Sequence, residues 1–246
     1  MAYEGTGTSN QILQSQGAGE PSKFSTATYP ATTTANQILY SSATNTVGQI
    51  TTANNSMLVT NSSGVPSFQL LAGNQVLIST QSPSGVGTVD FTGLGNTYDV
   101  LIAEWINVVG ATNATTFTMR VGTGAGPSWD SGTNYEYSSI TISANGGTSG
   151  NTNTATGDTR IQVSFPAHTN NSSSGGSSGR MYIYGISAAH YKLGTWNNQY
   201  FNNSSVGEWV SGGFRYTSTT AVTGVRFLFD AGNISSGTFN LYGVAK

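Results

Sequence analysis

The chain contains no cysteine in 246 residues. Disulfides and thiolate metal sites are therefore excluded. It is also short of charge. Asp, Glu, Lys and Arg make up 7% of it, against roughly a quarter of an ordinary soluble domain. The eight Lys and Arg are scattered and the net charge is −2, so no basic patch invites a nucleic acid. No apolar run approaches the roughly 18 residues that suggest a membrane span. Met1 to Gln16 lacks the basic start and apolar core of a signal peptide, which predicts synthesis in a cytoplasm.

Catalytic signatures are missing as well. The two histidines, His168 and His190, lie far apart in sequence, unlike a paired metal motif. They read as ordinary loop or strand-end residues. No HExxH, GxSxG or P-loop pattern occurs. The glycines from Gly122 to Gly126 lack the Lys and following helix of a phosphate site and read as turns. The ten acids are scattered in no recognisable motif, so nothing marks the carboxylate pair of a glycosidase. The chain is read as a non-enzyme without a cofactor. Several Asn-x-Ser/Thr triplets, such as those at Asn61, Asn113 and Asn233, follow from the composition alone.

What fills the chain is Gly, Ser, Thr and Asn, together about half of it, far above ordinary usage. A surface of hydroxyls and amides lacks the charge that keeps free proteins apart. It suits a protein fixed in an assembly, whose strength comes from oligomerisation.

From Phe24 to Val89 there is no charged residue at all, yet the stretch is not random. NQILQSQGAGEPSKFSTA (10–27), NQILYSSATNTVGQITTA (36–53) and NSMLVTNSSGVPSFQLLA (55–72) align without gaps. Leu13, Leu39 and Leu58 coincide, as do Pro21, Val47 and Pro66, and the closing Ala27, Ala53 and Ala72. A fourth NQVL begins at Asn74. A flexible linker needs no position-specific leucines. Each block has too few apolar residues to bury a core alone. Three chains about a threefold axis would give each Leu two partners and pair the backbone between subunits. Leu13, Ala27, Leu39, Ala53, Leu58 and Ala72 are the expected core of such a trimer.

The rest reads as all-β. Runs rich in Val, Ile, Phe, Tyr and Thr are separated by Gly, Asn and Ser clusters. Strands are expected at 75–80, 98–109, 115–121, 135–143, 159–165, 180–187, 208–216, 222–229 and 238–244. No stretch keeps helical spacing for three turns. In 180–186 both faces are apolar, which predicts cover on both sides. So many strands without helices predict a jelly-roll-like β-sandwich. Gly146–Gly157 and Asn170–Gly179 are expected as loops at one rim. The organisation read from the sequence is thus an anchoring tip (1–9), a repetitive shaft (10–73) and a sandwich (74–246).

The repeats also carry a resemblance. Gly19 to Phe24, Thr28 to Pro30, Asn36 to Ser42 and Gly64 to Phe68 resemble repeats of tailed-bacteriophage fibres and other virion appendages. The ending GTFNLYGVAK is similar to the ends of phage β-sandwich virion proteins. The resemblance implies a trimeric fibre of the virion, docked on other virion proteins through its N-terminus. Three functions stay open: a tail fibre in host attachment, a capsid-decorating head fibre, and a polysaccharide-binding or degrading module.

Receptor contact would need exposed aromatics beside amides, because a sugar stacks its apolar ring face and offers hydroxyls to amides. Trp129, Tyr135 and Tyr137 near one Gly-rich loop, and Trp196, Asn197, Asn198 and Tyr200 in TWNNQYFNN, are the candidates. A host glycan or protein would be the partner. The alternative for these aromatics is the sandwich core or a trimer interface. Trp105 and Trp209, in expected strands, are read as core.

Overall fold

In a computed structural model, residues 3–54, 56–70, 75–95, 97–145 and 150–245 are described. Ala72, a candidate trimer contact, and Asn74 lie outside them. The described residues form strands and turns without a helix. The chain divides into two compact units, Met1–Ala72 and Gly73–Lys246.

In the first unit each repeat forms one antiparallel hairpin. The first pairs β2 (Leu13–Gln14) with β3 (Ser22–Phe24), to which β1 (Tyr3–Glu4) adds in parallel. The second pairs β4 (Gln37–Ala43) with β5 (Thr46–Thr51), and the third pairs β6 (Ser56–Thr60) with β7 (Pro66–Leu70). The NQ signature has a local cause. Asn10 and Asn36 both sit at positive φ, 70° and 60°, a region that Asn tolerates better than most residues. The Gln that follows folds back, and its Oε1 accepts a bond from a backbone N–H three residues upstream. That bond is 2.7 Å from Thr8 to Gln11 and 2.9 Å from Thr34 to Gln37. The motif therefore shapes the entry to a hairpin.

The second unit holds two antiparallel sheets. The larger runs β14 (Asn151–Asp158), β13 (Tyr135–Ser143), β18 (Gly207–Tyr216), β17 (Lys192–Phe201), β16 (Ser177–Tyr184), β10 (Tyr98–Gly110), β20 (Ile234–Ala245), β8 (Gln75–Gln81). The smaller runs β12 (Ser128–Trp129), β11 (Phe117–Thr123), β19 (Val222–Phe229), β9 (Val89–Phe91), with β15 (Ile161–Gln162) beside β11. Their inner faces share one core. Trp105 of β10 meets Phe117 of β11 at 5.6 Å and Phe227 of β19 at 5.8 Å, and Phe239 of β20 meets Phe227 at 5.4 Å. The expected all-β fold is present as two large packed antiparallel sheets.

Alternation places the core. In β19, Val225, Phe227 and Phe229 are buried while Arg226 faces out to Asp90. In β17 every second residue is buried, from Lys192 to Tyr200. Inward Gly194 and Gly212 leave room for neighbouring rings: an added Cβ would collide with Phe214 and with Trp196, respectively.

The structure departs from expectation at four places. Asn151–Gly157, expected within a loop, lies in the edge strand β14, and Ser177–Gly179 begins β16 rather than ending a loop. Polar Thr and Asn can line an edge strand because its register is held by β13 alone, with Ile140 opposite Thr152 and Ser138 opposite Thr154. Strand β17 was not expected, since its Thr, Asn and Gln hide a period of two. The second face of β16 is not fully covered in the chain, because Tyr184 is exposed.

Candidate functional site

The contact candidates separate cleanly by strand face. Tyr135, Tyr137, Trp196, Asn198 and Tyr200 are buried, and this corrects their expected place at a contact surface. Each polar end has a partner inside, as burial requires. The Trp196 indole donates to the Val163 carbonyl at 3.1 Å. Asn198 Oδ1 accepts from Trp105 Nε1 at 2.8 Å and from Ser177 Oγ at 2.6 Å. Tyr137 donates to Asp158 at 2.8 Å, and Tyr135 to the Asp130 carbonyl at 3.1 Å. Burial pushes both tyrosine hydroxyls far above their usual pKa, so they remain protonated donors.

Tyr200 belongs to a buried cluster about Glu208. That carboxylate accepts from Tyr200 at 2.6 Å and from Asn202 at 3.0 Å, and pairs with His168 Nδ1 at 3.2 Å. His168 also lies edge-on to Phe165. Burial, then the bond to Glu208, raises the Tyr200 pKa. The acid is fully engaged by these three side chains, and the cluster ties β17 and β18 to the segment holding His168. Among the described residues no group of three or more His, Asp or Glu is placed to hold a metal.

Two candidates stay near the surface. Trp129 is half-buried beneath the Arg226 guanidinium, 4.3 Å from its ring centroid, and Arg226 forks onto Asp90. Asn197 is exposed on the outer face of the large sheet.

That outer face also carries apolar side chains. Trp209, expected in the core, is 37% exposed, Phe201 is 45% exposed and Ile142 is 46% exposed. The pairing Ile142–Trp209–Gln199–Ser178 sets one rung across β13, β18, β17 and β16. On the next rung Phe201 stands opposite Gly207. A groove of about 510 Å³ opens between them, lined also by Ala144 and Gly176. A hollow of about 300 Å³ adjoins it and shares Ser178 and Gln199, with Asn197, Gly179 and Arg180 as further walls. Arg180 is ion-paired with Glu104. Reading 192–201 as a strand would have put Asn197, Gln199 and Phe201 on one face and Trp196, Asn198 and Tyr200 on the other. The sequence alone does not say which face is inside.

Comparison with protein-family models, curated proteins and solved structures finds no match to this chain.

Proposed function

We propose that this chain is a structural virion protein, a trimeric tail fibre that acts in host attachment. One observation carries the reading. Leu13, Leu39 and Leu58, at one position of three repeats, are 51%, 49% and 49% exposed. Their neighbours Ile12, Ile38 and Met57 are exposed too, and within a strand successive side chains face opposite ways. A two-stranded hairpin has no inside, so it can bury neither face alone. A regular series of open apolar positions calls for copies of the same chain to close it. The phage-like repeat motifs and the neutral, amide-rich surface point the same way. The second unit then serves as the outward, receptor-facing part, and the N-terminus docks on other virion proteins.

Light scattering on the full chain should give three copies. The triple variant Leu13→Ser, Leu39→Ser, Leu58→Ser should lower that number. A monomeric wild type sinks the trimer. Immunogold labelling of particles of the encoding virus, using an antibody to residues 75–245, should mark the tail. Label over the capsid would make this a head fibre instead, and unlabelled particles would remove the virion reading altogether.

A further inference from the structure

We infer that the groove between Trp209 and Phe201 binds an uncharged polysaccharide, with several sugar units laid across strands β18, β17 and β16. The inference rests on the attachment reading for its purpose and adds the ligand class and the residues. Trp209, Phe201 and Ile142 form apolar walls. Against them, on the same rungs, stand the Gln199 amide and Ser178 hydroxyl. This pairing fits a hexose, whose C–H face packs on an aromatic ring while its rim of hydroxyls exchanges hydrogen bonds with amides.

Size and charge narrow the occupant. The groove, about 510 Å³, lies within the roughly 300–1,000 Å³ usual for small-molecule sites. The adjoining hollow continues it past Gln199 to Asn197, which gives room for a chain rather than one sugar. The site offers no unpaired ion. Glu208 turns inward to Tyr200, Asn202 and His168, and Arg180 is paired with Glu104. A phosphate or uronate would find no free cation here. An extended peptide would find no free edge, because β13, β18, β17 and β16 are all paired on both sides. No second carboxylate faces Glu208 across the groove among the lining residues, so the groove holds its ligand without a glycosidase pair.

The test is affinity electrophoresis of the full chain through gels containing dextran, a mixed-linkage β-glucan, a mannan or a galactan. Alginate and an empty gel serve as charged and blank controls. At least one neutral polysaccharide should retard the protein, and alginate should not. Trp209→Ala should weaken retardation about tenfold and Gln199→Ala several-fold, whereas Ser138→Ala, on the same face outside the groove, should leave it unchanged. All these side chains are outward-facing, and thermal midpoints should stay near wild type. The proposal is overturned if no neutral polysaccharide retards the chain, if Trp209→Ala binds as wild type, or if alginate alone retards it. It is equally overturned if Trp209→Ala changes the oligomeric state, since a neighbouring copy would then occupy the groove. Tail labelling without polysaccharide binding would remove this inference and leave the attachment reading standing. Polysaccharide binding by a chain absent from the particle would do the reverse.

Discussion

The two units are both rich in Ser, Thr, Asn and Gly, but all four Trp lie in the second, and they settle their apolar side chains in opposite ways. In Gly73–Lys246, Trp105, Phe117, Phe227 and Phe239 close on one another between two sheets. In Met1–Ala72, the one buried residue among those described is Ser25. Its hydroxyl donates to the Ala27 carbonyl at 2.6 Å and accepts from Ile12 N–H at 3.1 Å, while its own carbonyl accepts from Gln11 at 2.6 Å. Hydrogen bonds shape the repeats, and apolar burial holds the sandwich. A net hydrogen bond is worth about 0.5–1.5 kcal/mol, and fully burying a Leu about 1.5–3 kcal/mol. The repeats therefore have conformation without much stability of their own, the gap that the proposed trimer would fill.

Mutations can break or sharpen this contrast. The largest effect is expected at Trp196, which fills the space left by Gly212. Trp196→Ala should cost the sandwich about 3–5 kcal/mol in urea unfolding. A loss below about 1 kcal/mol would mean the core is not where the large sheet puts it. Next comes Lys192, fully buried, whose ammonium donates to the carbonyls of Ala188 and His190 at 2.7 Å and of Thr219 at 3.2 Å. Lys192→Met should cost about 2–3 kcal/mol by orphaning those acceptors. Burial lowers its pKa; if Lys192→Met proves neutral, desolvation has cancelled the three bonds.

In the repeats, Gln37→Ala should cost about 1 kcal/mol locally by freeing the Thr34 N–H. It should be visible as faster amide exchange there, with the sandwich midpoint unmoved. Leu39→Ser should likewise spare the sandwich midpoint and act only on association. A sandwich midpoint lowered by Leu39→Ser would show that the two units are not energetically separate.

The smallest effect concerns pH. Burial alone would raise the Asp130 pKa, but bonds from the Tyr216 hydroxyl, Gly132 N–H and the Asn134 amide, together with Arg120, outweigh it and hold the pKa below the usual value. A lowered carboxylate pKa adds stability that is present above the unfolded value, about 3.9, and is lost as pH falls through the folded value. Asp130→Asn should therefore flatten the acid side of the stability curve below about pH 4. An unchanged acid slope would remove Asp130 from that balance.

Much of this fold is legible in the sequence. Tyr135–Ser143 and Val222–Phe229 have the strand bounds that their alternating apolar residues predict. Strand β17 is not legible in the same way. Its buried face carries Lys192, Gly194 and Asn198 beside Trp196 and Tyr200, and its open face ends in Phe201, so hydrophobicity does not mark the inside. Asn198 can be buried only because Trp105 and Ser177, distant in sequence, meet its amide. Trp209 escapes in the other direction. Its strand predicts burial, yet its parity places it opposite Val210 and Glu208, which face inward.

By itself the sequence determined the all-β character, the repeats and the NQ entry to the first two hairpins, because these depend on local periodicity and local hydrogen bonds. Only the tertiary structure decided which aromatics are core and which line the groove. A strand offers two faces, and the choice between them is made by the sheet that packs against it.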